Sequence, residues 1–202
     1  MNVERPAEPV PKLAPPGAGV PWWQRLAGKY VLLPGYCLRL SWERAPVLLE
    51  RQGRVLLDLG REHTEAELTR RVLVPPQIGL EDSSRHASYT MVLEHLTIVG
   101  GRLTEIVFEL THGRRPSGAV RTADLKPRGD LTPPQAVDAY RAMLASFRQR
   151  ALEQAGDRAS PVRFEHPWFG PLDAYHWLCF APFHQTIHLV QARRIVARLR
   201  PG

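Results

Sequence analysis

Six apolar residues, Val92, Leu96, Val99, Leu103, Ile106 and Leu110, follow one another at alternating steps of four and three. That spacing is the seam of a helical bundle, because it keeps one stripe of a long helix turned toward partners. A chain with such a stripe must supply further helices to cover it. One is expected over 44–61, where Ala45, Leu48, Leu49, Val55, Leu56 and Leu59 recur at i, i+3, i+4 and Pro46 falls in the tolerated first turn. The seam helix itself is expected over 84–111, weakened by Gly100 and Gly101 and ended by Gly113. The next helix has the clearest start signal: Thr132 as N-cap, Pro133 at the first helical position and Gln135 closing a capping box. A last helix is expected over 174–198 behind Asp173 as its cap. Period-two alternation is almost absent. The fold class expected is all-α, a four-helix bundle with an extra N-terminal segment.

Six prolines in residues 1–21 mark a disordered or extended arm. Residues 22–202 then read as a single domain with its core over 42–200, a length suited to one core rather than two. Residues 22–42 are aromatic-rich but broken by Pro34 and Gly35, and read as one or two short helical pieces. Between the first two bundle helices, Thr64 and Glu67 have capping-box spacing, and Pro75 and Pro76 end the turn they start. No apolar run approaches the ~18 residues of a membrane span, and the N-terminal residues lack a secretory pattern. Cys37 and Cys179 stand far apart with no CxxC, which excludes a disulfide framework or a thiolate zinc knuckle and points to a reducing cytoplasm.

The net charge of +7 raises the question of nucleic acid. Most of the basic residues stand singly beside Glu and Asp along helical patterns. The densest group, Arg193, Arg194, Arg198 and Arg200, falls at the end of the last helix, where cations match the helix dipole. That is a solvated face, and nucleic acid is not an expected partner.

Histidine is the informative interruption of the apolar faces. His184 and His188 are four apart, so their side chains lie about 40° apart around the helix and ~6 Å along it. Phe183, Ile187 and Gln191 flank the same face, which should point inward. Buried neutral imidazoles need partners for both nitrogens; a divalent metal satisfies one on each ring. Two ligands make a weak site, and His95, beside the seam of a facing helix, is the best third. Gln191, one turn beyond His188, is the choice for an amide that orients a ligand or touches substrate. His63, His86 and His112 lie at helix boundaries, His166 precedes a proline in a loop, and His176 is held in reserve. Glu94 is turned about 100° from His95 and reads as a solvated carboxylate, and Cys179 as core packing.

Three segments in order resemble the DinB/YfiT-like superfamily: Leu93-Glu94-His95-Leu96, the stretch His166-Pro167-Trp168-Phe169-Gly170-Pro171-Leu172, and His184-Gln185-Thr186-Ile187-His188-Leu189-Val190-Gln191. The resemblance covers about residues 42–200. It implies a four-helix bundle with an unusual connection order and a metal site of His95, His184 and His188 for a divalent ion, zinc or nickel first. It also implies a homodimer, and an activity such as thiol S-transfer using a low-molecular-weight thiol. The chain departs from the pattern at Pro182, which should kink the last helix or start a new turn there.

The leading expectation is thus a metal-dependent transferase or hydrolase of small molecules, in which the ion activates a thiol or a water as nucleophile. No general base is identifiable, and no Ser/His/Asp set, phosphate loop or dinucleotide fingerprint offers another mechanism. The alternative is a non-enzymatic bundle that binds metal or another ligand.

Overall fold

The structure, a computed structural model, describes residues 12–199. The first part of the expected arm and Arg200 lie outside the described residues. Residues 12–21 are irregular and lie against the domain, where Ala14 N–H donates to Asp82 Oδ2 at 2.8 Å and Gly19 N–H to Glu81 Oε1 at 3.2 Å. The aromatic stretch forms α1 (Trp22–Ala27), a π-helical turn (Gly28–Leu32) and α2 (Leu33–Cys37). The wide turn falls just before Pro34, whose ring has no room against the carbonyl four residues back in regular α geometry.

The bundle begins with α3 (Arg44–Leu59), followed by the short α4 (Glu65–Thr69), whose Thr64–Glu67 capping box is formed from both sides. Strand β1 (Val72–Leu73) then pairs antiparallel with β2 (His86–Ala87). That pairing shortens the next helix relative to expectation. Helix α5 (Tyr89–Thr111) starts after Ser88, whose hydroxyl accepts the Met91 N–H, because residues 86–87 are engaged as a strand and Asp82–Ser84 forms a single 3-10 turn. Helix α6 (Pro133–Glu153) begins at the Thr132–Gln135 capping box. A small hairpin of β3 (Phe164–His166) and β4 (Gly170–Leu172) precedes α7 (Ala174–Leu199). Gly170 makes the tight return possible, since its φ of +77° is in the left-handed region. Helix α7 continues through Pro182 as a single helix.

Helix α5 packs on α6 and α7, and α3 packs on the same two. Successive bundle helices α3 and α5, and likewise α6 and α7, therefore sit diagonally, and each pair is joined by a long connection that carries one of the two-stranded ribbons. A simple up-and-down bundle would make every successive pair neighbours. The core between the four is aliphatic and aromatic, with Tyr89, Tyr140, Phe147 and Trp177 fully enclosed. The two glycines of α5 differ in use: a Cβ on Gly100 would collide with Met143 of α6, whereas one on Gly101 meets nothing. Gly100 is a close-packing residue, and Gly101 carries only the helix-propensity cost.

A buried hydrogen-bond chain links three of the bundle helices. Tyr140 Oη donates to Gln185 Oε1 at 2.6 Å, and the Gln185 amide donates to the Leu49 carbonyl at 2.7 Å, tying α6, α7 and α3 together. Cys37 and Cys179, both buried with free thiols, lie where α2 meets α7. At the far end of α7 the carbonyls of Arg198 and Leu199 accept from Arg70, and Arg194 donates to Gln77. No described helix is long and apolar enough to cross a membrane.

Candidate metal centre

Helices α5 and α7 are neighbours, and that adjacency brings His95 to the HxxxH pair. The ring centroids of His95 lie 5.3 Å from His184 and 4.5 Å from His188, and those of His184 and His188 lie 4.5 Å apart. One ring nitrogen from each residue falls within 4.8 Å of the other two. His188 is buried and the other two are half-buried.

Hydrogen bonds settle which nitrogens converge. His95 Nδ1 is 2.8 Å from the Leu125 carbonyl oxygen, which can only accept, so Nδ1 carries the proton and Nε2 keeps a lone pair. His188 Nδ1 donates in the same way to Gln191 Oε1 at 2.7 Å; the Gln191 amide donates in turn to the Ser84 carbonyl at 2.7 Å, which fixes its orientation. Outer partners of this type hold an imidazole in one tautomer and raise its basicity as a ligand. Nε2 of His188 lies 3.1 Å from Nε2 of His184. Two lone pairs at that separation repel unless a proton or a cation is shared between them. Two nitrogens bound to one ion at ~2.05 Å, at angles from octahedral to tetrahedral, stand roughly 2.9–3.4 Å apart, so the observed spacing fits a shared ion.

The surroundings favour neutral rings. Burial pushes the His95 pKa down to about 4 against a weaker opposing effect from the Leu125 hydrogen bond. Burial, reinforced by the neighbouring histidines, holds His184 and His188 well below the ordinary imidazole value. Neutral imidazole is the ligating form, so the set stays ready to bind across the physiological range.

The triad separates two cavities. One of about 70 Å³ is lined by all three rings, by Val99, Leu103 and Ile106 of α5, by Trp177 and Phe180 of α7, and by His166 and Trp168 of the hairpin. The other, about 170 Å³, reaches His95 and His188 from the side of Arg71, Ser83, His86 and Gln191. Lys126 and Ser84 border both. The Lys126 ammonium pairs with the buried Glu81 carboxylate at 2.7 Å and donates to the Ser83 and Ser84 hydroxyls. Burial by itself would raise the Glu81 carboxyl; Lys126 and the Gly17 and Gly19 amides outweigh it and hold the pKa below the ordinary value.

Some placements differ from expectation. Glu94 is not solvated: it is 5% exposed, and its two oxygens accept the N–H groups of Arg128 and Gly129 at 2.8 and 2.9 Å. It points away from the ligand face, as its 100° turn requires, but toward the loop that delivers the Leu125 carbonyl and Lys126. The reserve candidate His176 lies outside both cavities and pairs with its own cap, Asp173, at 2.8 Å. His166, read as a loop residue, is buried and faces the first cavity. Cys179 is a core residue with no exposure. Glu81, Lys126 and Ser84 border the site without any spacing signal, since they arrive from connections whose path the sequence pattern does not fix.

The chain is similar to a solved structure described as that of TT2238, a four-helix bundle protein. Identity is 24%, the match covers 76% of this chain and 98% of that one, and the TM-score is 0.48. No family model matches the chain, and no curated protein matches it.

Proposed function

We propose that the protein is a divalent-metal-dependent enzyme acting on small molecules, with His95, His184 and His188 as the metal ligands. The observation that carries this reading is the convergence of three imidazole nitrogens, two of them with tautomers fixed by outer acceptors, at the wall of a cavity. Three ligands leave coordination positions for a reactant, which distinguishes catalytic from closed structural sites. Imidazoles suit zinc, nickel, copper and iron, and zinc or nickel is the first choice. A bound ion there supplies Lewis acidity, enough to turn a thiol or a water into a nucleophile near neutral pH.

The chain's own residues do the rest. Leu125 O and Gln191 fix the ligand rings, and Glu94 pins the loop that carries Leu125. Phe180, Trp177 and Trp168 give the first cavity an aromatic wall. The diagonal order of helices and the three matching segments support membership of the DinB/YfiT-like superfamily, and with it thiol S-transfer as the first activity to assay. A second copy of the chain is the expected partner; Trp22, Tyr30, Val31 and Leu38 leave apolar surface exposed on the N-terminal stretch, and sedimentation velocity reads the association directly.

The test starts with the metal content of purified protein. Metal-loaded protein is then assayed with a low-molecular-weight thiol and an electrophile, beside His184→Ala. A bound ion, and turnover that disappears in the variant, are expected. Protein that takes up no metal, with a stability unaffected by added zinc or nickel, overturns the reading.

A further inference from the structure

On the wall of the first cavity stands a fourth histidine that metal binding leaves unused. His166 ends β3 and is 6% exposed. Its Nδ1 accepts the backbone N–H groups of Trp168 at 3.1 Å and Phe169 at 3.3 Å. An imidazole nitrogen that accepts two N–H bonds carries no proton, so in the neutral ring the proton is on Nε2. The ring is neutral because burial pushes its pKa down to about 3. It is also clamped: it stacks on Phe169 with centroids 4.5 Å apart at 10°, and meets Phe180 at 4.6 Å and Trp177 at 5.1 Å.

The second nitrogen is free to act outward. Among the described residues Nε2 has no protein partner, and it is not one of the sealed-in polar atoms without one, which are Tyr36 Oη and Gln52 Oε1. It belongs to a ring that lines the same cavity as His184. The two cations reaching this cavity are already matched, Lys126 by Glu81 and Arg102 by Glu105, both at 2.7 Å. Apart from an ion held by the triad, the protein's own groups in the chamber offer no unpaired charge, and an ionic group placed beside His166 would lose hydration without return. Beside His166, the lining residues Pro167, Trp168, Trp177 and Phe180 offer largely apolar surface, and the clamped ring adds a rigid N–H.

We propose that His166 is a substrate-binding residue, whose Nε2–H donates to a single uncharged acceptor oxygen, such as a carbonyl or an ether, on a compact apolar substrate. The donor fixes one end of that molecule and thereby turns the rest of it toward the triad. The cavity volume of about 70 Å³ sets the scale. A 150 Å³ apolar cavity holds the six carbons of benzene, so by proportion this space takes about three non-hydrogen atoms, and the rest of the molecule extends through the cavity's open side. The inference rests on the metal reading only for what happens after binding; the recognition step is independent of the ion.

The experiment therefore reads binding and metal separately. Cyclopentanone and methylenecyclopentane have nearly the same shape and differ in one acceptor oxygen. Saturation-transfer NMR on the full chain is expected to show about fivefold tighter binding of the ketone, the worth of one neutral hydrogen bond. In His166→Phe the preference falls to about onefold while zinc uptake is unchanged. A preference that survives in His166→Phe overturns the proposal, and so does a variant that loses zinc, because His166 would then serve the metal. The wild-type protein gives a second reading that needs no folded variant. With 15N-labelled histidine, one buried ring, assigned by couplings across the hydrogen bonds from the Trp168 and Phe169 amides, is expected to be the Nε2–H tautomer, and that signal should move with the ketone but not the alkene. An Nδ1–H tautomer, or a signal indifferent to the ketone, overturns it. Zinc binding without ketone preference would leave the metal centre standing and remove only the role given to His166.

Discussion

The helical wall and the hairpin wall of one cavity use the same side chain in opposite ways. On α5 and α7, outer acceptors take the Nδ1 proton of His95 and His188 and leave Nε2 lone pairs converging. On the hairpin, two backbone N–H groups occupy His166 Nδ1 and leave the Nε2–H without a protein partner among the described residues. Burial makes all four rings neutral, so charge does not distinguish them. The partner of the other nitrogen does. A buried histidine becomes a ligand or a donor according to what its second nitrogen touches, and a residue-type inventory of a cavity misses that.

Substitution separates the walls most strongly in metal affinity. Alanine at His184 or His188 is expected to weaken zinc or nickel binding by more than about 100-fold, while His166→Phe changes it by less than about threefold, as calorimetric titration would read. Equal losses at both walls would break the contrast. A smaller effect is expected one step outward: Gln191→Leu removes the acceptor that orients His188 and should cost about 10–100-fold in affinity with the fold intact. An unchanged affinity would mean that the tautomer of His188 is set by something other than Gln191.

The smallest effect concerns proton uptake. The unfolded chain protonates its histidines near pH 6.5, whereas His95 and His166 in the folded protein resist until about 4 and about 3. Below pH 6.5 the unfolded state binds the more protons, so stability should fall as pH drops toward 4, by up to about 1.4 kcal/mol per pH unit for each such ring. His166→Phe removes one ring's share of that slope, which denaturant titrations between pH 7 and 4.5 would show. A slope identical to wild type would mean that His166 is not held neutral.

The helical wall was legible because helices impose a period. Four residues place His184 and His188 on one face, and the seam of α5 places His95 beside the stripe that its neighbours must cover. The capping boxes at Thr64 and Thr132 are local chemistry and needed no tertiary information. The start of α5 was misplaced because residues 86–87 pair with residues distant in sequence, and no local preference in a two-residue strand announces that pairing. Glu94 looked solvated because its neighbours on α5 do not show that the 126–129 loop folds over it. His166 escaped for a related reason: His-Pro reads as a loop, and only the closed hairpin turns the Trp168 and Phe169 amides back onto the ring. Helical periodicity projects side chains reliably; connections acquire their chemistry only from what they land on.

X-ray absorption spectroscopy of the protein loaded with one equivalent of nickel or zinc addresses the central claim most directly. The account predicts a first shell of nitrogen and oxygen at ~2.0–2.1 Å with the outer-ring scattering of three imidazoles, falling to two in His95→Ala. A spectrum with fewer than three imidazoles in the wild-type protein, or one that His95→Ala leaves unaltered, would contradict it.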